Sequence, residues 1–412
     1  MNPQLIRAAL IAALAVLVPE AQAQTSDTLA LTLHEAVERA LRTSDEVRLA
    51  AAQVDVAEAQ VITARATGLP QLRLTGTYTH VYENARGQAV GQIFNQPNTY
   101  NTNANLSQTI FQGGRMIAGW RAASRLRRAS RLNANEARAQ VSLDVQRAYL
   151  EALFASRMVE IQTANFTLAT NRLTQIEQFQ TAGRAARYDV LRTRVERANL
   201  EPLLIQARSD REIAMLELKR LLNISPSQPV SLTTTIDAGA VQAILASFDP
   251  DSTGREMRAS VRAAELTARA RHDAVSVARA DFLPTVSAFL QMGYQAFPVS
   301  GFPTDRGRLD PTFCPANSPA DRACSNGGWF DDRLIGVTVS WPLFDGLRAK
   351  GNFDLARAQA RVADLELQLE REEVALEVAR ARAELDRARS FYTARQQNAQ
   401  EAEEAFSLAS LR

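Results

Sequence analysis

Residues 64–82 run Ala64-Arg65-Ala66-Thr67-Gly68-Leu69-Pro70-Gln71-Leu72-Arg73-Leu74-Thr75-Gly76-Thr77-Tyr78-Thr79-His80-Val81-Tyr82. The Gly-Leu-Pro segment ends any helix before it, because proline lacks a backbone donor and disfavours a helical predecessor. From Gln71 the chain alternates. Leu72, Leu74, Gly76, Tyr78 and Tyr82 fall on one side, and Gln71, Arg73, Thr75, Thr77 and Thr79 on the other. A period of two predicts a strand with one apolar and one polar face. The same punctuation returns 214 residues later as Ala278-Arg279-Ala280-Asp281-Phe282-Leu283-Pro284. Behind it Val286, Ala288, Leu290, Met292 and Tyr294 oppose Thr285, Ser287, Gln291 and Gln295.

A second pair of anchors extends the repeat. Phe111-Gln112-Gly113-Gly114-Arg115 recurs as Phe344-Asp345-Gly346-Leu347-Arg348, now offset by 233. The loop between the anchors is therefore 19 residues longer in the second copy. Each anchor follows another alternating stretch: Ala104, Leu106 and Ile110 against Asn103, Asn105, Ser107 and Thr109, then Ile335, Val337, Val339, Trp341 and Leu343 against Gly336, Thr338 and Ser340. Pro70, Gly113, Pro284 and Gly346 mark the turns. Further on, Phe166-Thr167-Leu168-Ala169 resembles Phe406-Ser407-Leu408-Ala409. One unit of helix, strand, loop, strand and very long helix is predicted to occur twice.

The long helices carry the other decisive pattern. Neither Gly nor Pro occurs from Trp120 to Ala182, nor from Asn352 to Arg412. Val141, Val145, Ala148, Ala152, Ala155, Val159, Gln162, Phe166, Ala169, Leu173 and Ile176 step by fours and threes. Leu367, Val374, Val378, Ala381, Leu385, Ala388 and Tyr392 do the same in the second copy. Such a 3.5-residue period predicts supercoiled packing against other helices. Thr32 with Glu35, and Thr43 with Glu46, read as capping boxes. A break is expected at Gly183, then a helix to about Leu222, interrupted at Pro202.

Composition agrees. The 412 residues include 70 Ala but only 6% aromatics, the make-up of long helices with small-residue seams. A net charge of +2 gives no global field for nucleic acid or anionic lipid. Residues 1–23 combine Arg7, an apolar run Ala8 to Val18 and Ala21-Gln22-Ala23, the pattern of a cleaved secretory signal. Cys314 and Cys324 sit in a Pro/Gly/Asn/Ser-rich stretch with no His nearby. In an exported chain they read as a disulfide candidate, with two free thiols the alternative. His34, His80 and His272 fall in different elements without ligand spacing, so no metal, no cofactor and no catalytic residues are expected. Arg121, Arg125, Arg127, Arg128 and Arg131 suggest a nucleic-acid face, but export favours a solvated helix face and no nucleic-acid partner.

Each strand is about ten residues, the length of a tilted strand crossing an outer membrane. Four strands cannot close a membrane barrel, since the smallest have about eight. Two, three or four copies would have to share one. With the polar side inward, Gln71, Arg73, Thr75, Asn103, Asn105, Thr285, Gln291 and Thr338 are pore-facing candidates. The expected class is membrane α+β: four transmembrane strands per chain, contributed to a shared oligomeric β-barrel and continued by a long helical section away from the membrane, built from an internal duplication.

The Leu-Pro strand starts, the F-x-G turns at Phe111 and Phe344, Leu31-Thr32-Leu33-x-Glu35-Ala36-Val37, and Gly183 followed by Tyr188-Asp189-Val190-Leu191 resemble the TolC-type outer-membrane efflux proteins. The resemblance implies a homotrimer in outer-membrane lipid, a twelve-stranded barrel continued by a long periplasmic α-helical barrel, that docks a periplasmic adaptor and an inner-membrane pump. Such a chain is the exit duct of a tripartite efflux or type I secretion system, exporting drugs, metals or polypeptides. The adaptor-docking hairpin tip then falls on Ala182, Gly183 and Arg184, with Asp189 opening the returning helix. The implied division is signal peptide 1–23; helices 24–68; strand-loop-strand 69–112; helical hairpin 113–222; connector 223–254; helix 255–282; strand-loop-strand 283–345 with the Cys loop; and long helix 346–412. Arg412 is the counterpart of Arg172, 240 residues earlier, beyond which the first copy continues. The second returning helix is therefore expected to be missing. A non-transporting periplasmic coiled-coil structural or adaptor protein is the competing reading.

Overall fold

A computed structural model of the protein describes residues 28–83, 85–90, 97–235, 239, 241, 258–298, 302 and 329–410. The expected signal segment and both cysteines lie outside them. The described elements are β1 (Leu29–Leu31), α1 (Leu33–Thr43), α2 (Asp45–Ala66), β2 (Gln71–His80), α3 (Ala85–Val90), β3 (Asn98–Gln112), α4 (Arg115–Thr181), α5 (Arg187–Leu221), β4 (Val230–Leu232), α6 (Ala259–Arg279), β5 (Thr285–Ala296), β6 (Trp329–Ser340) and α7 (Arg348–Ser410). The chain forms two compact units, Met1–Leu49 with Ala137–Phe248 and Ala50–Glu136 with Asp249–Arg412.

In the first unit the seam predicted for α4 is the buried stripe: Val141, Val145, Ala148, Ala152 and Ala155 are buried, and Val159 through Ile176 half-buried. The core joins Val141, Val145, Tyr149, Ala152 and Leu153 to Leu31, Ala36 and Ala40 on one side and Leu218, Leu221, Leu222 and Ile224 on the other. The capping box at α1 forms as expected. The Thr32 hydroxyl accepts from the Glu35 N–H at 3.3 Å, and the Thr32 N–H donates to the Glu35 carboxylate at 2.8 Å. The expected Thr43–Glu46 box does not. A single residue, Ser44, separates α1 from α2, so Thr43 still belongs to α1 and its hydroxyl donates to the Arg39 carbonyl at 2.9 Å. Ser44 bonds Glu46 instead, at 2.6 Å.

Two features of this unit depart from the sequence reading. Pro202 does not interrupt α5, which runs continuously from Arg187 to Leu221. Proline removes one intrahelical bond, and burial of Val190 and Thr193 before the defect and of Leu204, Ala207 and Leu218 after it holds the helix together across that loss. The stretch expected as a connector also contributes β4, which pairs in parallel with β1 through Leu29↔Val230, Ala30↔Ser231 and Leu31↔Leu232. Tyr149 fastens this pair: its hydroxyl donates to the Leu31 carbonyl at 2.8 Å and contacts the Thr234 hydroxyl at 2.9 Å.

The second unit holds a four-stranded antiparallel sheet in the order β2-β3-β5-β6. Helix α6 packs against α7, with Ala263, Ala268, Ala270, Ala360 and Ala363 buried. Alanine seams let the helix backbones approach closely. Ion pairs tie the helices: Arg125 to Asp273 at 2.8 Å, Arg131 to Glu58, and Arg258 to both Glu136 and Glu377. Burial opposes the charge of Arg258, but the two carboxylates outweigh it and hold its titration above the usual guanidinium range. The arginines that suggested a nucleic-acid face thus include two, Arg125 and Arg131, engaged with carboxylates of the same unit.

Candidate functional site

The sheet ladders decide which side chains share a face. Gln71 pairs with Ser107, Arg73 with Asn105 and Thr75 with Asn103. Asn105 pairs in turn with Gln291, and Ser287 with Thr338. All eight residues expected on the polar side, Gln71, Arg73, Thr75, Asn103, Asn105, Thr285, Gln291 and Thr338, therefore lie on one face. The opposite face carries Leu72, Leu74, Leu106, Leu290, Met292, Ile335, Val337 and Val339. These are exposed, Leu72 and Leu74 at 73% and Ile335 at 81%. Apolar strands left this open demand a covering environment. Among the described residues neither edge is paired: β2 has only β3 beside it, and β6 only β5.

Aromatic residues gather at the loop end of the sheet. Tyr78 lies 4.7 Å from Tyr100, and Tyr100 faces Trp329 at 6.4 Å between ring centroids. Asn98 anchors this end, accepting from the Tyr78 hydroxyl at 2.9 Å and lying 2.7 Å from His80 Nδ1. At the helix end Trp341 donates its indole N–H to the Phe282 carbonyl at 3.2 Å. Polar-tipped aromatics at both ends of an apolar band are the pattern of interfacial girdles.

Several residues of the polar face escaped the sequence reading. Phe289 and Leu334 interrupt the polar row, and Phe289 covers Gly336: a Cβ there would stand 2.7 Å from its ring. A glycine inside an alternating strand signals such a cross-strand neighbour. Asp332 is another, and it pairs with Gly293. The alternation also shifts at Ile110, where a bulge between Thr109 and Phe111 brings Phe111 opposite Val286 on the apolar face.

Strand and helix meet at matched turns. Gly113 and Gly114 have φ of 56° and 80°, and their counterparts Gly346 and Leu347 have 71° and 68°. Gly113 is the constrained one, since a Cβ would lie 2.9 Å from the Leu283 Cβ. Close by, Arg115 pairs with Asp281, which also accepts from Asn352 at 3.3 Å.

The expected hairpin tip is a tight turn between α4 and α5. Gly183 takes φ of 72°, and the Arg184 N–H donates to the Phe179 carbonyl at 2.7 Å. Asp189 accepts from the Ala186 N–H at 3.0 Å and so starts α5, and Arg194 pairs with Glu177 across the hairpin at 3.0 Å. Ala182, Gly183, Arg184 and Asp189 are all exposed. Among the described residues no helix is long and apolar enough to cross a membrane, and no cluster of His, Cys, Asp and Glu could hold a metal ion.

Solved structures share this fold. The outer membrane protein VceC of Vibrio cholerae is 22% identical, with 92% of this chain and 85% of that one covered and a TM-score of 0.71. A membrane protein of Pseudomonas aeruginosa is 23% identical, with 92% and 83% covered and a TM-score of 0.70. The MtrE outer membrane channel of Neisseria gonorrhoeae, in its open state, is 20% identical, with 92% and 79% covered and a TM-score of 0.61. No curated protein matches the sequence. The fold is thus that of outer-membrane channel proteins. A model of the outer membrane efflux protein family matches residues 36–223 and 253–412, and the chain belongs to that family. Membership makes it an efflux channel protein of the outer membrane, extending into the periplasm, and not an enzyme.

Proposed function

We propose that three copies of this chain join their sheets into one twelve-stranded barrel, which continues as a ring of long helices and forms the exit duct of a tripartite efflux or type I secretion assembly. The observation that carries this reading is the four-stranded sheet, apolar on one face but for the Asp331–Arg333 pair of β6, polar on the other and, among the described residues, open at both edges. In lipid each unpaired backbone group costs several kcal/mol, so the edges must find strands. Only closure with further copies supplies them.

On this reading Gln71, Arg73, Thr75, Asn103, Asn105, Thr285, Gln291 and Thr338 line the pore. Ala182, Gly183, Arg184 and Asp189 meet the periplasmic adaptor that links the duct to its inner-membrane pump. The matched left-handed turns at Gly113-Gly114 and Gly346-Leu347 support an origin by duplication, with 24–222 as one repeat and 255–412 as the other. Protein extracted from the outer-membrane fraction should run as a trimer and conduct ions in planar bilayers. A monodisperse soluble monomer would overturn the duct in favour of a poreless periplasmic coiled coil.

A further inference from the structure

The polar face of the sheet carries only two charged side chains among the described residues, Arg73 and Asp332. They have opposite signs, and each sits on one of the two edge strands. Arg73 is exposed, as is every residue of β2. Asp332 accepts from Gln291 Nε2 and Gln295 Nε2, both at 3.4 Å, which leaves its carboxylate weakly engaged.

The ladders fix their heights. Asp332 pairs with Gly293, Gly293 with Asn103 and Asn103 with Thr75. Asp332 is therefore level with Thr75, two residues from Arg73. All neighbours in the sheet are antiparallel, so β6 of one copy and β2 of the next also meet antiparallel when the sheet closes. Strand tilt staggers closing edges. A stagger of zero to four residues toward the Gln71 end keeps Arg73 opposite Asp332 or one diagonal step away, about 7–8 Å between backbones and within reach of a long side chain.

That seam needs a marker of register. The polar side of β2 repeats Thr75, Thr77 and Thr79, so a two-residue slip exchanges like for like, and flat polar strands specify register weakly. A single charge on the polar side of each edge strand breaks this degeneracy. We propose that Arg73 of one copy and Asp332 of the next form an ion pair across the seam, on the inner wall of the barrel, and that this pair sets the seam's register. The proposal rests on the trimeric duct above.

Charge reversal tests it. R73E and D332R should each lower by several degrees the temperature at which the detergent-extracted oligomer dissociates, and the R73E/D332R double variant should recover most of the loss. With Cys314 and Cys324 replaced by Ser, R73C/D332C should be cross-linked up to the full oligomer by a short bis-maleimide, which spans both the direct and the diagonal position, whereas R73C alone should not. A stable oligomer that shows neither recovery nor cross-linking overturns the seam pair and leaves the duct standing. A wild-type chain that never oligomerises overturns both.

Discussion

Tyr149 is fully buried, and its hydroxyl joins two chain segments far apart in sequence, at the Leu31 carbonyl and Thr234. The Thr234 hydroxyl also accepts from the Leu33 N–H at 2.9 Å. Removing the phenolic oxygen leaves buried polar groups without their partner, at a cost of about 1–3 kcal/mol. Y149F should therefore lower the thermal midpoint measured by circular dichroism, while keeping the helical signal below the transition. Gly113 and Gly114 make a contrasting pair. Both are left-handed, but only Gly113 faces atoms a Cβ would strike, and Leu347 shows that a side chain can occupy the second position. G114A should cost roughly 1–2 kcal/mol from backbone strain alone. G113A should cost more, because Leu283 and Ala280 must also move. At the α1 start, the Thr32 N–H and hydroxyl hold the Glu35 carboxyl below its ordinary range. A carboxylate with a depressed folded-state pKa stabilises the fold above its unfolded value and loses that contribution as pH falls through the folded one. The gap in stability between wild type and E35Q should accordingly be present at neutral pH and close on acidification.

At the scale of the element, the alternating strands and the stepped helix seam were legible because a period of two or 3.5 repeats over many residues. Segments too short for any period were not. Leu29–Leu31 and Val230–Leu232 are three residues each, and their pairing is determined by Tyr149 and the core rather than by local pattern. The bulge at Ile110 and the covering of Gly336 by Phe289 likewise depend on which strand lies alongside. The eight polar-face candidates share a face as read, but Asp332 was passed over because Asp331-Asp332-Arg333 masks the alternation. The two faces make opposite predictions. Lysine near the middle of a lipid-facing strand costs about 2–4 kcal/mol, whereas the inner face tolerates it. L72K and I335K, which stand level with each other on the apolar face, should therefore reduce the yield of folded, heat-resistant oligomer in the outer membrane, and T75K and T338K should not. Equal losses on both faces would sink the assignment of inside and outside.

At the scale of the whole molecule, the question is what covers the apolar surface one copy leaves open. The buried seam of α4 accounts for only part of its apolar residues. Phe154, Ile161 and Leu168, spaced by seven, remain exposed. Leu355, Val362, Leu369 and Leu376 form the same kind of stripe on α7, also exposed. A helix with one seam needs one neighbour; a helix with a second seven-residue stripe has room for another helix on a different side. Such double-seamed helices suit a closed ring, in which each is flanked on both sides, and they do not suit a free-standing monomer. Burying an aliphatic side chain of this kind is worth about 1.5–3 kcal/mol, so removing two should tip a marginal interface. V362D/L369D should leave the helical content of the chain unchanged, since both positions are already solvent-exposed in a single copy. It should also shift the extracted protein from trimer to monomer by light scattering and abolish conductance. Retention of the trimer would mean that the strand section alone holds the copies together, and that the α7 stripe meets something other than this chain.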